Sequence, residues 1–370
     1  MTARVLWLVK GLGRGGAERL LTLTASRLDR SRFDVEVAYV LPGHDAFVAE
    51  LEHHGVGTHC LARAGRFSWL PQLRRRLRDG TFDIVHTHSP LPAVAARLLA
   101  PRGQALVHTE HNVWDAYHPL TRAANAATYG RNHTVVAVSE GVAGSIRAPG
   151  WALGRRPRIE WLHHGVDVAS APRGATARRV AREALGIGEG ALVVGTVGNL
   201  TPKKDHAGLL AAFELVVSDV PEAMLLLIGS GPLEDALRSD ARARGLDRHV
   251  QFLGSRDDVA TLLPALDVFV LSSRHEGLPI ALLEAMSAEV ASVSTRVGGV
   301  AEVLTDGIDG CLVEPGCPEV LSAALAGLLT DPKQRGRLAD AGRRRVERGF
   351  SIDRATRRLE ELYAEVIDRR

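Results

Sequence analysis

The sequence predicts an α/β protein built from two Rossmann-like, doubly wound parallel-sheet domains in series. Three observations predict it. A chain of 370 residues exceeds one ordinary core and suits two. Short apolar runs alternate with amphipathic stretches from end to end, the pattern of parallel sheets covered by helices. That pattern halts over residues 171–190, a stretch rich in Ala, Arg and Gly with Pro172 near its start, and then begins again.

In the first half, strands are expected at 5–9, 35–40, 84–88, 105–108 and 134–138, with helical stretches between most of them. Residues 171–190 read as an interdomain hinge. In the second half, strands are expected at 191–197, 224–229, 250–253, 268–272 and 290–294, with helices near 207–217, 233–244 and 279–288. The tail from Pro318 reads as helical and charged. Its last piece keeps an apolar stripe at Ile352, Ala355, Leu359, Leu362, Tyr363 and Val366, which must be buried and is expected to cross back onto the first domain. The domains are thus expected at 1–172 and 190–350, with 351–370 as a helix packed on the first. Two such halves imply a cleft between them, with ligands at the carboxyl ends of the strands.

A hydrophobic content of 45% and a charged content of 24% suit a globular protein. Cys60, Cys311 and Cys317 are too few and too scattered for a disulfide framework or a zinc site, and the first strand is far too short for a signal-peptide core or a membrane span. A cytoplasmic location is expected. Charge is uneven: residues 1–185 carry 25 Lys+Arg against 15 Asp+Glu, and the remainder 21 against 28. The basic half reads either as Arg-rich solvated helices or as a face for an anionic partner. The run from Arg63 through Phe67 and Trp69 to Arg78 has the same two readings. It is a surface helix packing Trp69, Leu70, Leu73 and Leu77 inward, or a segment pressing on the inner face of an anionic membrane. No nucleic-acid motif accompanies the charge, so no nucleic acid is expected. His86 and His88 alternate on one strand face, and without an Asp-x-Asp cluster no metal is expected.

The turn Gly11-Leu12-Gly13-Arg14-Gly15-Gly16 spells G-x-G-x-x-G after the first strand. A dinucleotide site would also need an acid at the far end of the second strand, and Glu36 lies at the near end. Gly15 and Gly16 read either as a tight strand-to-helix turn or as a helix start whose backbone approaches a phosphate.

The strongest local signal runs from Ser272 to Met286 and contains Glu276, Gly277, Leu278, Pro279 and Glu284. Pro279 suits the first turn of a helix. Glu276 then precedes that helix and Glu284 lies inside it, about 10 Å away at ~1.5 Å per residue. Glu284 interrupts an otherwise apolar stretch, where a carboxylate needs a partner or a ligand. The span suits a nucleotide sugar, with one carboxylate at the sugar, the other at the ribose, and the helix N-terminus facing the diphosphate.

With these residues in view, the chain resembles the retaining glycosyltransferases of family 4, which have the GT-B fold, almost from end to end. The resemblance is carried by Gly15-Gly16-Ala17-Glu18, Asp83-Ile84-Val85-His86-Thr87-His88, Thr109-Glu110-His111-Asn112, Val138-Ser139-Glu140, His164-Gly165-Val166-Asp167, Gly198 to Lys204, Gly229-Ser230-Gly231-Pro232, Glu276 to Glu284, and Gly298-Gly299 to Glu302. It implies a hexosyltransferase that is metal-independent and needs no cofactor. The donor would be a UDP- or GDP-sugar and the acceptor a glycan, a lipid-linked sugar or a small molecule.

The resemblance also assigns roles. Lys204 neutralises the donor diphosphate, Glu276 binds the transferred sugar, Glu284 the ribose, and Gly277, Leu278, Gly15 and Gly16 hold the diphosphate. His111 lies by the reacting carbon. Three positions depart from the family pattern. Asn199 stands where an arginine is usual, Glu289 where a glycine is usual, and His164 where an asparagine is usual. The loss of a cation at Asn199 keeps a second reading open, a non-catalytic protein that binds nucleotide sugars. Glu289 is expected to be strained if its position demands a positive φ.

Overall fold

A computed structural model of the chain describes residues 2–62, 68–147 and 156–369. Among them the chain forms two parallel sheets, each covered by helices on both faces. The first holds β1 (Ala3–Val9), β2 (Phe33–Tyr39), β3 (Gly57–Cys60), β4 (Ile84–Thr87), β5 (Ala105–Glu110), β6 (Thr134–Ala137) and β7 (Arg158–Trp161), in the order β3-β2-β1-β4-β5-β6-β7. The second holds β8 (Leu192–Val197), β9 (Ala223–Ile228), β10 (Val250–Gly254), β11 (Val268–Leu271), β12 (Ala291–Thr295) and β13 (Cys311–Val313), in the order β10-β9-β8-β11-β12-β13. Both are doubly wound sheets whose order reverses once, between β1 and β4 and between β8 and β11.

The alternation along β1 shows why the first sheet forms. Val5, Trp7 and Val9 face a layer containing Leu21 and Ala25 of the helix Gly16–Ala25. Leu6 and Leu8 face the opposite layer, with Leu73 and Leu77 of the helix Trp69–Asp79 and Ala95 and Ala96 of the helix Pro90–Leu99. Trp69, Leu73 and Leu77 are buried and Leu70 packs beside them, so this basic helix uses its apolar stripe as core. Arg63, Arg66 and Phe67 lie outside the described residues. Among the described residues no helix is long and apolar enough to cross a membrane.

The C-terminal helix Ile352–Asp368 returns to the first sheet, as its stripe requires. Leu359, Leu362, Tyr363 and Val366 enter the Trp7 layer, each contributing about 1.5–3 kcal/mol by burial. Polar contacts fix its register: Glu360 accepts the Asp29 amide at 2.7 Å, and Arg358 pairs with Glu160 of β7 at 2.7 Å.

The chain divides into two compact units, Met1–His164 with Ile352–Arg370, and Gly165–Ser351. The division falls at His164/Gly165, earlier than the expected 172–190 break. Residues 171–190, read as the interdomain hinge, lie within the second unit. They contain the helix Gly174–Leu185, whose Arg182 is buried, bonding the Ala265 carbonyl at 3.1 Å and Asp267 at 2.9 Å. An Ala- and Arg-rich stretch without a β run reads as linker, and the ion pair that anchors it is invisible locally.

Candidate functional site

In the second unit the loops leaving β8 and β11 flank the point where the strand order reverses, which is where such sheets bind ligands. The first loop carries Lys204 and the second Glu276. They meet: Lys204 Nζ lies 2.6 Å from Glu276 Oε1, with the two side chains 17% and 9% exposed. Ser273 Oγ donates to the same carboxylate oxygen at 2.5 Å. The loops are also tied through their backbones. Ser272 Oγ donates to the Lys204 carbonyl at 2.9 Å, and the Arg274 amide to the Lys203 carbonyl at 2.8 Å. Close packing demands glycine alongside. Gly298 has φ +50°, and a Cβ there would overlap the carbonyl oxygen of Glu276. The Gly299 amide donates to the Gly277 carbonyl at 2.9 Å.

Gly277 and Leu278 are buried at the mouth of the next helix. That helix runs Ile280–Ser287 with Pro279 as the residue before it, one position earlier than expected for the proline. Glu284 lies within it, half-buried between the buried Leu283 and Ala285. Asn199 is exposed in the β8 loop. A cation that local reading did not single out, Arg274, stands beside Glu276 in sequence, with Nε 3.0 Å from Asp205. Glu289 has φ +58°, so a residue with a Cβ occupies a left-handed position, and Arg173 holds its carboxylate at 2.7 Å.

In the first unit Gly15 caps and Gly16 opens the helix after β1. Four imidazoles form a row, with His86 in β4, His88 just after it, His111 just after β5 and His164 after β7. The His86 and His88 rings are 4.1 Å apart, His88 Nδ1 is 3.3 Å from His111 Nε2, and His111 stacks on His164 with ring centroids at 5.9 Å. Burial, reinforced by the neighbouring imidazoles, holds His86, His88 and His111 well below the usual imidazole value, and brings His164 down to about 4. The row is therefore neutral at pH 7, and its nitrogens donate or accept single hydrogen bonds. Among the described residues no group of His, Cys, Asp and Glu is arranged to hold a metal ion.

Residues 177–345 match the family described as glycosyl transferases group 1, and residues 14–170 match glycosyltransferase family 4. The chain belongs to this family. It is a glycosyltransferase. A GDP-mannose-dependent monoacylated alpha-(1-6)-phosphatidylinositol monomannoside mannosyltransferase of Corynebacterium glutamicum is 33% identical over 218 residues, 56% of each chain. The UDP-Gal:alpha-D-GlcNAc-diphosphoundecaprenol alpha-1,3-galactosyltransferase of Escherichia coli is 25% identical over 313 residues, 80% of this chain and 79% of that one. The Anabaena protein HepE, solved in complex with UDP-glucose, superposes with a TM-score of 0.87 at 20% identity, covering 98% of this chain and 99% of that one. That likeness shows the shared GT-B fold.

The opposite face of the transferase's first sheet holds a second buried polar set. Glu110, fully buried, accepts from Trp114 Nε1 at 2.8 Å and from the Tyr117 hydroxyl, and so pins the loop that carries His111. Arg97 is buried against the Tyr129 ring at 5.0 Å, bonded to Asn125 and Asn132, and desolvation brings it down to about 10. Sequence reading placed Glu110 only inside a motif. Its role depends on aromatic donors four and seven residues onward, a spacing that could have suggested it.

Proposed function

We propose that the transferase moves a hexose from a UDP- or GDP-sugar to a glycan, lipid-linked or small-molecule acceptor, with retention of configuration and without a metal ion. The carrying observation is the Lys204–Glu276 pair at the carboxyl ends of β8 and β11. A bound donor exchanges both partners. Diphosphate oxygens take the Lys204 ammonium, and sugar hydroxyls donate to the Glu276 carboxylate. Glu284 takes the ribose hydroxyls, backbone at Gly277, Leu278, Gly15 and Gly16 receives the diphosphate, and Asn199 adds a neutral hydrogen bond. His111 contacts the transferred sugar or the acceptor.

The acceptor oxygen bonds to the anomeric carbon on the face that the diphosphate leaves. The bond to the leaving oxygen breaks with its electron pair on the diphosphate, and the acceptor proton passes to a departing phosphate oxygen. Lys204 meets the charge that develops there. The named donors of the C. glutamicum and E. coli relatives, one a GDP-sugar and one a UDP-sugar, support the donor class. Their lipid-bearing acceptors support a lipid-linked acceptor.

Incubation with a panel of sugar nucleotides in the presence of EDTA, followed by NMR of the product, tests this. Release of nucleoside diphosphate and a product with the donor's anomeric configuration are expected. Folded protein that releases nothing from any donor overturns the reading. Because Asn199 leaves one cation short, binding of UDP or GDP without turnover identifies a non-catalytic nucleotide-sugar binder, and recovery of turnover by Asn199→Arg ascribes the loss to that position.

A further inference from the structure

The histidine row is anchored at its inner end by the last helix. Tyr363 is fully buried, with Oη 2.9 Å from Trp7 Nε1 of β1 and 2.6 Å from His86 Nδ1 of β4. His86 Nε2 lies 2.7 Å from Thr109 Oγ1 of β5. The need of a fully buried phenol to keep its one hydrogen paired sets the direction of the chain. An indole N–H only donates, so the Tyr363 oxygen accepts it. The phenol's single hydrogen then goes to His86 Nδ1. A neutral imidazole that accepts at Nδ1 carries its proton on Nε2, and that proton goes to Thr109. Trp7, Tyr363, His86 and Thr109 thus form one directed relay of hydrogen bonds.

We propose that Tyr363 is a positioning residue for glycosyl transfer: its hydroxyl fixes the tautomer and ring plane of His86, and through the His88 and Thr109 contacts it seats His111. Packing does not require the hydroxyl, since a phenylalanine fills nearly the same volume, and a buried hydroxyl is costly unless paired. The ring of His86 lies against His88, which reaches His111, and Thr109 precedes His111 by two residues at the end of β5. A ring at His86 free to turn or to change tautomer loosens both supports. This inference rests on the proposed role of His111.

The test uses the full chain and Tyr363→Phe, with two readouts. In protein labelled with ¹⁵N-histidine, the wild type shows Nε2 of His86 as the protonated nitrogen and Nδ1 as the bare acceptor, and Tyr363→Phe changes that pattern. Turnover number falls about tenfold or more at unchanged donor KM, as expected for lost positioning. Leu359→Ala in the same helix controls for stability. It lowers the melting temperature, while turnover below the transition stays at the wild-type level. Wild-type turnover and an unchanged His86 signal in Tyr363→Phe overturn the proposal, as does equal loss of turnover in Leu359→Ala. Absence of turnover in the wild type removes the functional reading itself, and the positioning role with it.

Discussion

The Lys204 ammonium and the Glu276 carboxylate sit 2.6 Å apart on two loops joined at a strand-order reversal. Each satisfies the other when no ligand is present, so changing either group affects binding and turnover differently. In Glu276→Gln the amide still accepts from Ser273 and Lys204, while the ammonium is freed from its counter-charge. Calorimetric affinity for UDP or GDP is expected to hold or rise, while turnover falls by about 10²-fold or more. In Lys204→Ala both affinity and turnover fall. Near-normal turnover in Glu276→Gln would remove the mechanism.

The histidine row gives the first unit a distinctive acid response. His164 titrates near 4 in the folded protein against 6.5 in the unfolded chain, and His86, His88, His108 and His111 are also lowered, chiefly by burial. Between about 4 and 6.5 the unfolded chain binds the proton and the folded one does not, so stability falls as pH drops through that window and is level above it. Each histidine contributes a slope of up to about 1.4 kcal/mol per pH unit. Urea unfolding at pH 7 and pH 5 should show a large loss, and His164→Asn, which restores the family's usual residue, should reduce the slope. An unchanged slope counts against a buried neutral row.

Much of this was legible in the sequence. The strand readings at 5–9, 105–108 and 268–272 find β1, β5 and β11 because buried parallel strands are continuous apolar runs. The strands that were missed, β3, β7 and β13, are short and lie at or next to a sheet edge. Gly57-Thr58-His59-Cys60 and Arg158-Ile159-Glu160-Trp161 carry polar or exposed residues because one side of each meets solvent or ions. At the site, the paired glutamates stood out because Glu284 breaks an apolar helix. The Arg274–Asp205 pair and Tyr363's bond to His86 join residues 69 and 277 apart, and no local pattern carries such separations.

Glu289 illustrates a departure that the fold tolerates at a cost. Its φ of +58° disfavours any residue with a Cβ by about 1–2 kcal/mol. Its carboxylate offsets part of that through Arg173 at 2.7 Å and Arg343 at 3.7 Å. Glu289→Ala keeps the strain and loses the ion pairs, while Glu289→Gly loses the pairs and relieves the strain. The glycine variant should therefore be more stable than the alanine variant by about 1 kcal/mol in denaturant melts. Equal midpoints would mean that the left-handed backbone is not strained.

Gly298 should be far less tolerant than a glycine of similar backbone elsewhere in the same unit. Gly298 and Gly307 both have positive φ, +50° and +69°, so alanine strains both by a similar amount. Around Gly307 a Cβ meets nothing within 4 Å, whereas at Gly298 it would overlap the carbonyl oxygen of Glu276. Gly307→Ala should cost about 1 kcal/mol of stability and leave turnover as it was. Gly298→Ala must push the Glu276 backbone aside. That movement separates the carboxylate from Lys204 and Ser273, and a displacement of about 1 Å is enough to cost 10²-fold in turnover. If the two alanine variants lose turnover equally, the tight packing behind Glu276 has no bearing on catalysis, and Glu276 is not held where the transfer needs it.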